Sequence, residues 1–232
     1  MSTNEAKDQN KERHALIAKS LVQLKQMQAK LDKQEREKNE PIAIIGTACR
    51  FPGGANTPES YWDMLYSGTN AVSDIPADRW DLNAYYDEDP KATGKMYTRR
   101  GGFIDGIDQM DASFFGISPR EAACMDPQQR IFMEASWEAL ERAGVPFDKL
   151  PGSNTGVYAG ITGQDYGQLQ VQHNPDQLDA YYLTGNVSAF VSGRISYMLG
   201  LQGPCMSMDT ACSSSLVAIH QACAGLRNGD CE

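Results

Sequence analysis

The sequence has little of what staples a small secreted domain or holds a metal. Its six cysteines stand at 49, 124, 205, 212, 223 and 231 with no Cys-x-x-Cys pair, and its three histidines, at 14, 173 and 220, lie apart from them. That spacing gives no zinc-ligand pattern and no disulfide framework, so a reducing cytoplasm and no bound metal are expected. Long apolar runs are missing too. The N-terminus is charged throughout, without the apolar centre of a signal peptide, and no stretch approaches the roughly 20 apolar residues of a membrane span. An excess of positive charge is also absent: the net charge is −9. Residues 1–40 hold nine Lys/Arg against seven Asp/Glu, a net of +2, which leaves −11 for residues 41–232. A globular part with that balance is a poor partner for nucleic acid. No internal repeat is visible.

Residues 1–40 also lack glycine, and their first proline neighbour is Pro41. His14, Ile17, Leu21, Leu24, Gln28, Leu31 and Glu35 recur at alternating spacings of three and four, a heptad seam with its apolar centre from Ile17 to Leu31. A single short helix of this kind is marginal in water. Pairing with a second copy buries the seam, and Gln28 within it favours one register at some cost in stability. A solvated, frayed leader helix is the other reading of the same pattern.

What is present beyond residue 40 is ordinary globular material. With 232 residues, 41% of them hydrophobic and 22% charged, the chain is long enough for one sizeable core. Ile42 to Ile45 reads as a buried first strand after Pro41. Thr57-Pro58-Glu59 caps a helix running through Tyr66 to a stop near Gly68. Residues 70–110 have no sustained period and carry turn signals, so excursions with short strands are expected there. Arg99 and Arg100 within them are either a contact for an acidic carrier protein or surface ion-pair partners.

Met125-Asp126-Pro127 caps a long helix with Ile131, Phe132, Ala135, Ala139, Leu140 and Ala143 on its inner face. Gln128, Gln129 and Arg130 are expected to make buried hydrogen bonds at its start. Gly156 to Gly160 is a second buried strand. Asn186 to Leu199 reads as one helix ended by Gly200, and residues 204–209 as a third strand. Strand and helix alternating in this order imply an α/β fold with largely parallel strands.

The stretch from Gly203 to Leu216 organises the rest, because a strand there runs into a turn and then a helix. Cys212 sits at the turn. A cysteine attacks as its thiolate, and a helix N-terminus lowers a thiol's pKa. Ser213, Ser214 and Ser215 are expected to cap the following helix, Leu216, Ile219, Ala222, Cys223 and Leu226 recur along it, and Asn228-Gly229 closes it. Ala211 is small enough for backbone to approach the nucleophile, so that an N–H at the helix start can face a developing oxyanion. Taken without its neighbours, a cysteine at a strand end is more often a buried small hydrophobe.

The neighbours decide the matter. Asp209-Thr210-Ala211-Cys212-Ser213-Ser214-Ser215-Leu216 resembles the active-cysteine signature of the beta-ketoacyl synthases, specifically the ketosynthase domains of modular polyketide synthases. Ala43-Ile44-Ile45-Gly46, Cys49 to Gly54, Phe114 to Ala122, Met125 to Arg130 and Trp137 to Glu141 are similar to further landmarks of that family, in the same order. One departure is Met208, where the family more often has Val, a tolerable exchange in a buried strand. The resemblance implies a thiolase-like fold, of which residues 41–232 are the first half, preceded by a docking coiled coil at 1–40. It implies Cys212 as the catalytic nucleophile, acylated from the phosphopantetheine of an acyl carrier protein, with no cofactor bound directly to the chain. A malonyl-type thioester on a carrier protein then loses carbon dioxide and attacks the acyl group.

The same resemblance implies a homodimer in the cytoplasm, with the C-terminal tail of an upstream synthase subunit docking on the coil. The paired histidines that the family uses for decarboxylation lie in its second half. His14, His173 and His220 match no such motif, and His220 is eight residues past Cys212 on one helix, about 12 Å along its axis. The chain alone is therefore expected not to condense. Two other functions fit parts of the pattern. One is a docking module whose globular remnant is non-catalytic. The other is a discrete fatty-acid condensing enzyme, against which the coil, Arg50 to Gly54 and Ile117 to Arg120 speak.

Overall fold

The glycine-free leader does fold as a single helix, α1 (Ser2–Lys38). The Asn39 side-chain amide donates to the Glu35 carbonyl at 2.9 Å beyond its last turn, and Pro41 cannot continue it. The structure, a computed structural model, describes residues 2–173 and 175–232, leaving aside the side chains of 2–12, 14, 15, 34, 37, 38 and 177. Ile17, Leu21, Leu24 and Leu31 of the heptad seam are all exposed on α1, as is Gln28, while the His14 side chain lies outside the described residues. Contacts divide the chain into two units, Met1–Ala43 and Ile44–Glu232.

The chain departs from expectation at the boundary between the units. Ile42 to Ile45 forms no strand, and Ile44 and Ile45 are 83% and 69% exposed. A strand needs a hydrogen-bonding neighbour, and no described segment pairs with this one. The loop that follows is held by Arg50, whose guanidinium forms a two-pronged ion pair with Glu138 and also donates to the Asn56 carbonyl at 3.2 Å.

Helix α2 (Pro58–Tyr66) begins where the sequence predicts it, with Thr57 and Ser60 forming a capping box and Pro58 in the first turn. The excursion contains two short strands, β1 (Val72–Asp74) and, beyond the short helix α3 (Leu82–Tyr85), β2 (Arg100–Gly102), paired antiparallel. Arg99 and Arg100 both lie 3.6 Å from Asp74 carboxylate oxygens, so they act as surface ion-pair partners.

Helix α4 (Pro119–Cys124) is capped by Ser118 and leads into α5 (Pro127–Arg142), capped by Asp126. Gln129 and Arg130 are buried as expected, although Gln128 is exposed. Arg130 donates from Nε and Nη2 to the Met125 carbonyl at 2.9 and 2.6 Å, which gives its buried charge partners. Past a 3₁₀ turn at Phe147–Lys149, strand β3 (Val157–Gly160) begins, followed by α6 (Asp165–His173) and α7 (Ala180–Asn186).

The helix expected from Asn186 to Leu199 starts three residues later, because Asn186 is the last residue of α7. Val187 is extended (φ −76°, ψ 129°), and α8 (Ala189–Leu199) starts afresh and closes on Gly200 in the left-handed conformation. The break follows from Asn186, whose side-chain amide donates to the Tyr182 carbonyl at 2.8 Å, Gln170 Oε1 at 3.0 Å and the Cys124 carbonyl at 3.3 Å. Those tertiary partners fix the end of α7.

Strand β4 (Cys205–Met208) pairs parallel with β3, Val157 opposite Cys205 and Gly160 opposite Met208. Helix α9 (Ser214–Asn228) follows, closed by Gly229 at φ 75°. Alternation along β3 sorts the layers. Val157 and Ala159 face the core with Ile195, Leu199 and Val191 of α8, while Tyr158 and Gly160 face α9. Met125, Met133, Leu150 and Leu201 complete the main cluster, and Trp137 stacks on Phe147 with ring centroids 3.9 Å apart at its edge. The strand pair is thus held between α8, backed by α5, and α9.

Candidate active site

The sheet's parallel pair ends in the elbow that carries Cys212. Beyond Met208 the chain turns through Asp209, Thr210 and Ala211 before α9 starts at Ser214. Ala211 has φ 56°, a left-handed conformation that costs an alanine about 1–2 kcal/mol. This sharp turn leaves Cys212 exposed just ahead of the N-terminus of a helix of 15 residues. Cys212 is a free thiol. The reading of it as a buried hydrophobe fails on that exposure.

Side chains hold the elbow from both sides. Asp209 Oδ1 accepts the Ala211 N–H at 2.9 Å, and Asp209 Oδ2 accepts the Thr162 hydroxyl at 3.2 Å. Ser214 Oγ accepts the Thr210 N–H at 2.8 Å and donates to the Ala211 carbonyl at 2.7 Å. Ser213 Oγ donates to the Thr210 carbonyl at 2.8 Å.

The three serines were expected to cap α9. Instead Ser213 stands at the N-cap position with helical backbone and no side-chain capping bond, and Ser214 turns back to the elbow. Short hydroxyls take whichever backbone partner lies closest, and the turn presents its own peptide groups first. Gly160 is what lets α9 start so close to the sheet. A Cβ there would lie 2.7 Å from both the Ser214 carbonyl carbon and the Ser215 nitrogen.

The apolar spacing along α9 also meets a different environment from the one expected. Ser214, Ala218 and Gly225 are the buried positions, whereas Leu216 and Ile219 are 72% and 60% exposed. Nothing in the described residues covers them. Met208, read as part of a buried strand, is half-buried. His220 is exposed on α9 and His173 ends α6. Among the described residues no group of three His, Cys, Asp or Glu is placed to hold a metal ion, and no helix is long and apolar enough to cross a membrane. Thr162 and Asp209 are the site residues that sequence reasoning passed over. An Asp two residues ahead of a strained position is an Asx-turn signal that points to Asp209.

A parallel strand pair leading through a strained elbow to an exposed thiol at a helix head defines the site of an α/β protein. The family described as Beta-ketoacyl synthase, N-terminal domain, matches residues 39–232, and the chain belongs to that family. It is 53% identical over 197 residues to an erythronolide synthase of Saccharopolyspora erythraea, a match covering 84% of this chain and 6% of that protein. It is 48% identical over 233 residues to a phenolphthiocerol synthesis type I polyketide synthase of Mycobacterium bovis, covering 100% of this chain and 11% of that one.

Among solved structures, an oxazolomycin ketosynthase domain of Streptomyces albus superposes with a TM-score of 0.76 at 38% identity, covering 82% of this chain and 32% of that one. The ketosynthase from module 6 of the Bacillus subtilis bacillaene synthase gives 0.72 at 40% identity, covering 82% and 30%. The chain therefore spans a small fraction of the synthases and about a third of each ketosynthase structure. The fold is thiolase-like, as these neighbours are.

Proposed function

We propose that this chain supplies the nucleophile-bearing half of a ketosynthase in a modular polyketide synthase, with Cys212 as the acyl acceptor. The observation that carries the reading is the strained elbow at Ala211, which presents an exposed cysteine at the positive end of α9. The Cys212 thiolate attacks the carbonyl carbon of an acyl thioester on the phosphopantetheine of an acyl carrier protein. A carbon–sulfur bond to Cys212 forms, the bond to pantetheine sulfur breaks, and the departing thiolate takes up the proton that Cys212 released.

The condensing step on a malonyl-type thioester calls for a pair of histidines, and we assign neither His173 nor His220 to it. The chain by itself is therefore an acyl acceptor without turnover. Residues 1–40 act as a docking coiled coil in front of the synthase domain at 41–232. The exposed heptad seam of α1 supports this, as does the match to the mycobacterial synthase along the whole chain. The coil pairs in a homodimer and receives the C-terminal tail of an upstream subunit in the cytoplasm. A docking module alone is the second reading, favoured by the same seam. Polyketide synthase relatives of which the chain covers only 6% and 11% count against a discrete fatty-acid condensing enzyme.

Intact-mass measurement on the 232-residue chain after incubation with an acyl carrier protein thioester tests the reading. One acyl addition, lost in Cys212→Ala, is expected, with no ketoacyl product when malonyl-carrier is added. Equal labelling of Cys212→Ala would sink the assignment, and product formation by the chain alone would sink the division of labour.

A further inference from the structure

We propose that Asp209 and Ser214 are positioning residues that clamp Ala211 in its left-handed conformation and so aim the Cys212 thiol, an inference that rests on Cys212 being the acyl acceptor. Eleven glycines in the described chain take positive φ, and Ala211 is the single non-glycine residue that does. Everywhere else the backbone uses the residue that adopts this conformation freely. At the elbow it uses one that must be held there.

The holding groups are on both sides of Ala211. Its N–H is taken by Asp209 Oδ1 at 2.9 Å, and its carbonyl accepts from Ser214 Oγ at 2.7 Å and Ser214 N at 3.1 Å. Each clamp is itself anchored. The second Asp209 oxygen accepts from Thr162 at 3.2 Å, on the loop that follows β3. Ser214 is 5% exposed, and its backbone lies against Gly160 of β3. The elbow is thereby tied to the sheet at two points, and Cys212, the next residue, inherits a fixed direction from a peptide that a free alanine would abandon. A nucleophile displaced by about an ångström reacts far more slowly, which is what the clamp prevents.

The test is single-turnover acylation of the 232-residue chain by a short-chain acyl thioester of N-acetylcysteamine, followed by intact mass to give a rate constant and a final amplitude. Asp209→Ala is expected to lower the rate constant about tenfold at full amplitude. Adding Ala211→Gly to Asp209→Ala should recover most of the loss, because glycine takes φ 56° without being held. Asp209→Asn, which keeps an oxygen for the Ala211 N–H, should also recover most of it. A merely structural role would reduce amplitude through unfolded protein and leave the rate constant alone, and that outcome overturns the clamp.

An unchanged rate in Asp209→Ala overturns it too, as does failure of Ala211→Gly to restore the rate. If Asp209→Ala does not fold, Thr162→Val decides instead: about a threefold lower rate constant at full amplitude supports the clamp, and an unchanged one overturns it. Labelling that persists in Cys212→Ala is a different failure, since it removes the acceptor itself. With Cys212 still the labelled residue, a negative result bears on the clamp alone.

Discussion

At Gly160 the sheet and the head of the cysteine-bearing helix come within a methyl group of each other. The atoms that a Cβ would meet there are backbone atoms of Ser214 and Ser215, which cannot rotate away. Gly160→Ala is therefore expected to cost about 1–3 kcal/mol, the range for forcing extra volume into a packed site. It should also slow alkylation of Cys212 by iodoacetamide, since relief requires moving the start of α9. Thermal unfolding and alkylation rate measured on the same variant check both effects, and an unchanged melting temperature would show that β3 and α9 have room to spare. The turn at Cys212 was legible in the sequence because strand and helix signals converge on it. The serines were legible only as a capping cluster. Their true bonds depend on the shape of a turn that local propensity does not specify.

Elements with strong local signals read well from the sequence, and those governed by distant partners did not. Helix α1 follows from a heptad pattern free of glycine, and α2 from a capping box next to proline. The start of α8 was placed three residues early, at Asn186, because that residue instead closes α7 with a side chain reaching Cys124 and Gln170. Those partners lie 62 and 16 residues away in the chain. The seam of α1 allows a prediction at this scale. Leu21 and Leu24 are exposed on the single helix, and a second copy would cover them. Replacing both with Asp should shift the chain from dimer to monomer in sedimentation velocity without altering the circular dichroism of the globular unit. A species of unchanged size would place the dimer contact elsewhere, or show that the coil does not pair.

On the scale of the whole molecule, two segments beyond α1 stand out for a burial pattern that no described residue covers. Ile44 and Ile45 have the composition of an inner strand, and Leu216 and Ile219 the spacing of an inner helix face, yet all four are exposed. The sequence showed that these residues should be covered. It did not show by what, because cover can come from chain far away or from another copy. The solved ketosynthases that superpose on this chain are about three times as long as the part it matches. The rest of such a domain is expected to cover these faces. The 232-residue chain should therefore bind a hydrophobic dye and self-associate as concentration rises, since exposed apolar patches drive both. Leu216→Lys with Ile219→Lys should reduce dye fluorescence and association together while leaving helix content unchanged, because neither side chain supports the fold of the chain as it stands. Unchanged dye binding in that variant would mean that the face of α9 is not the exposed surface responsible, and would move attention to Ile44 and Ile45. Loss of helix content would instead mean that Leu216 and Ile219 already pack against something in the 232-residue chain, so that α9 is more complete on its own than its exposure indicates.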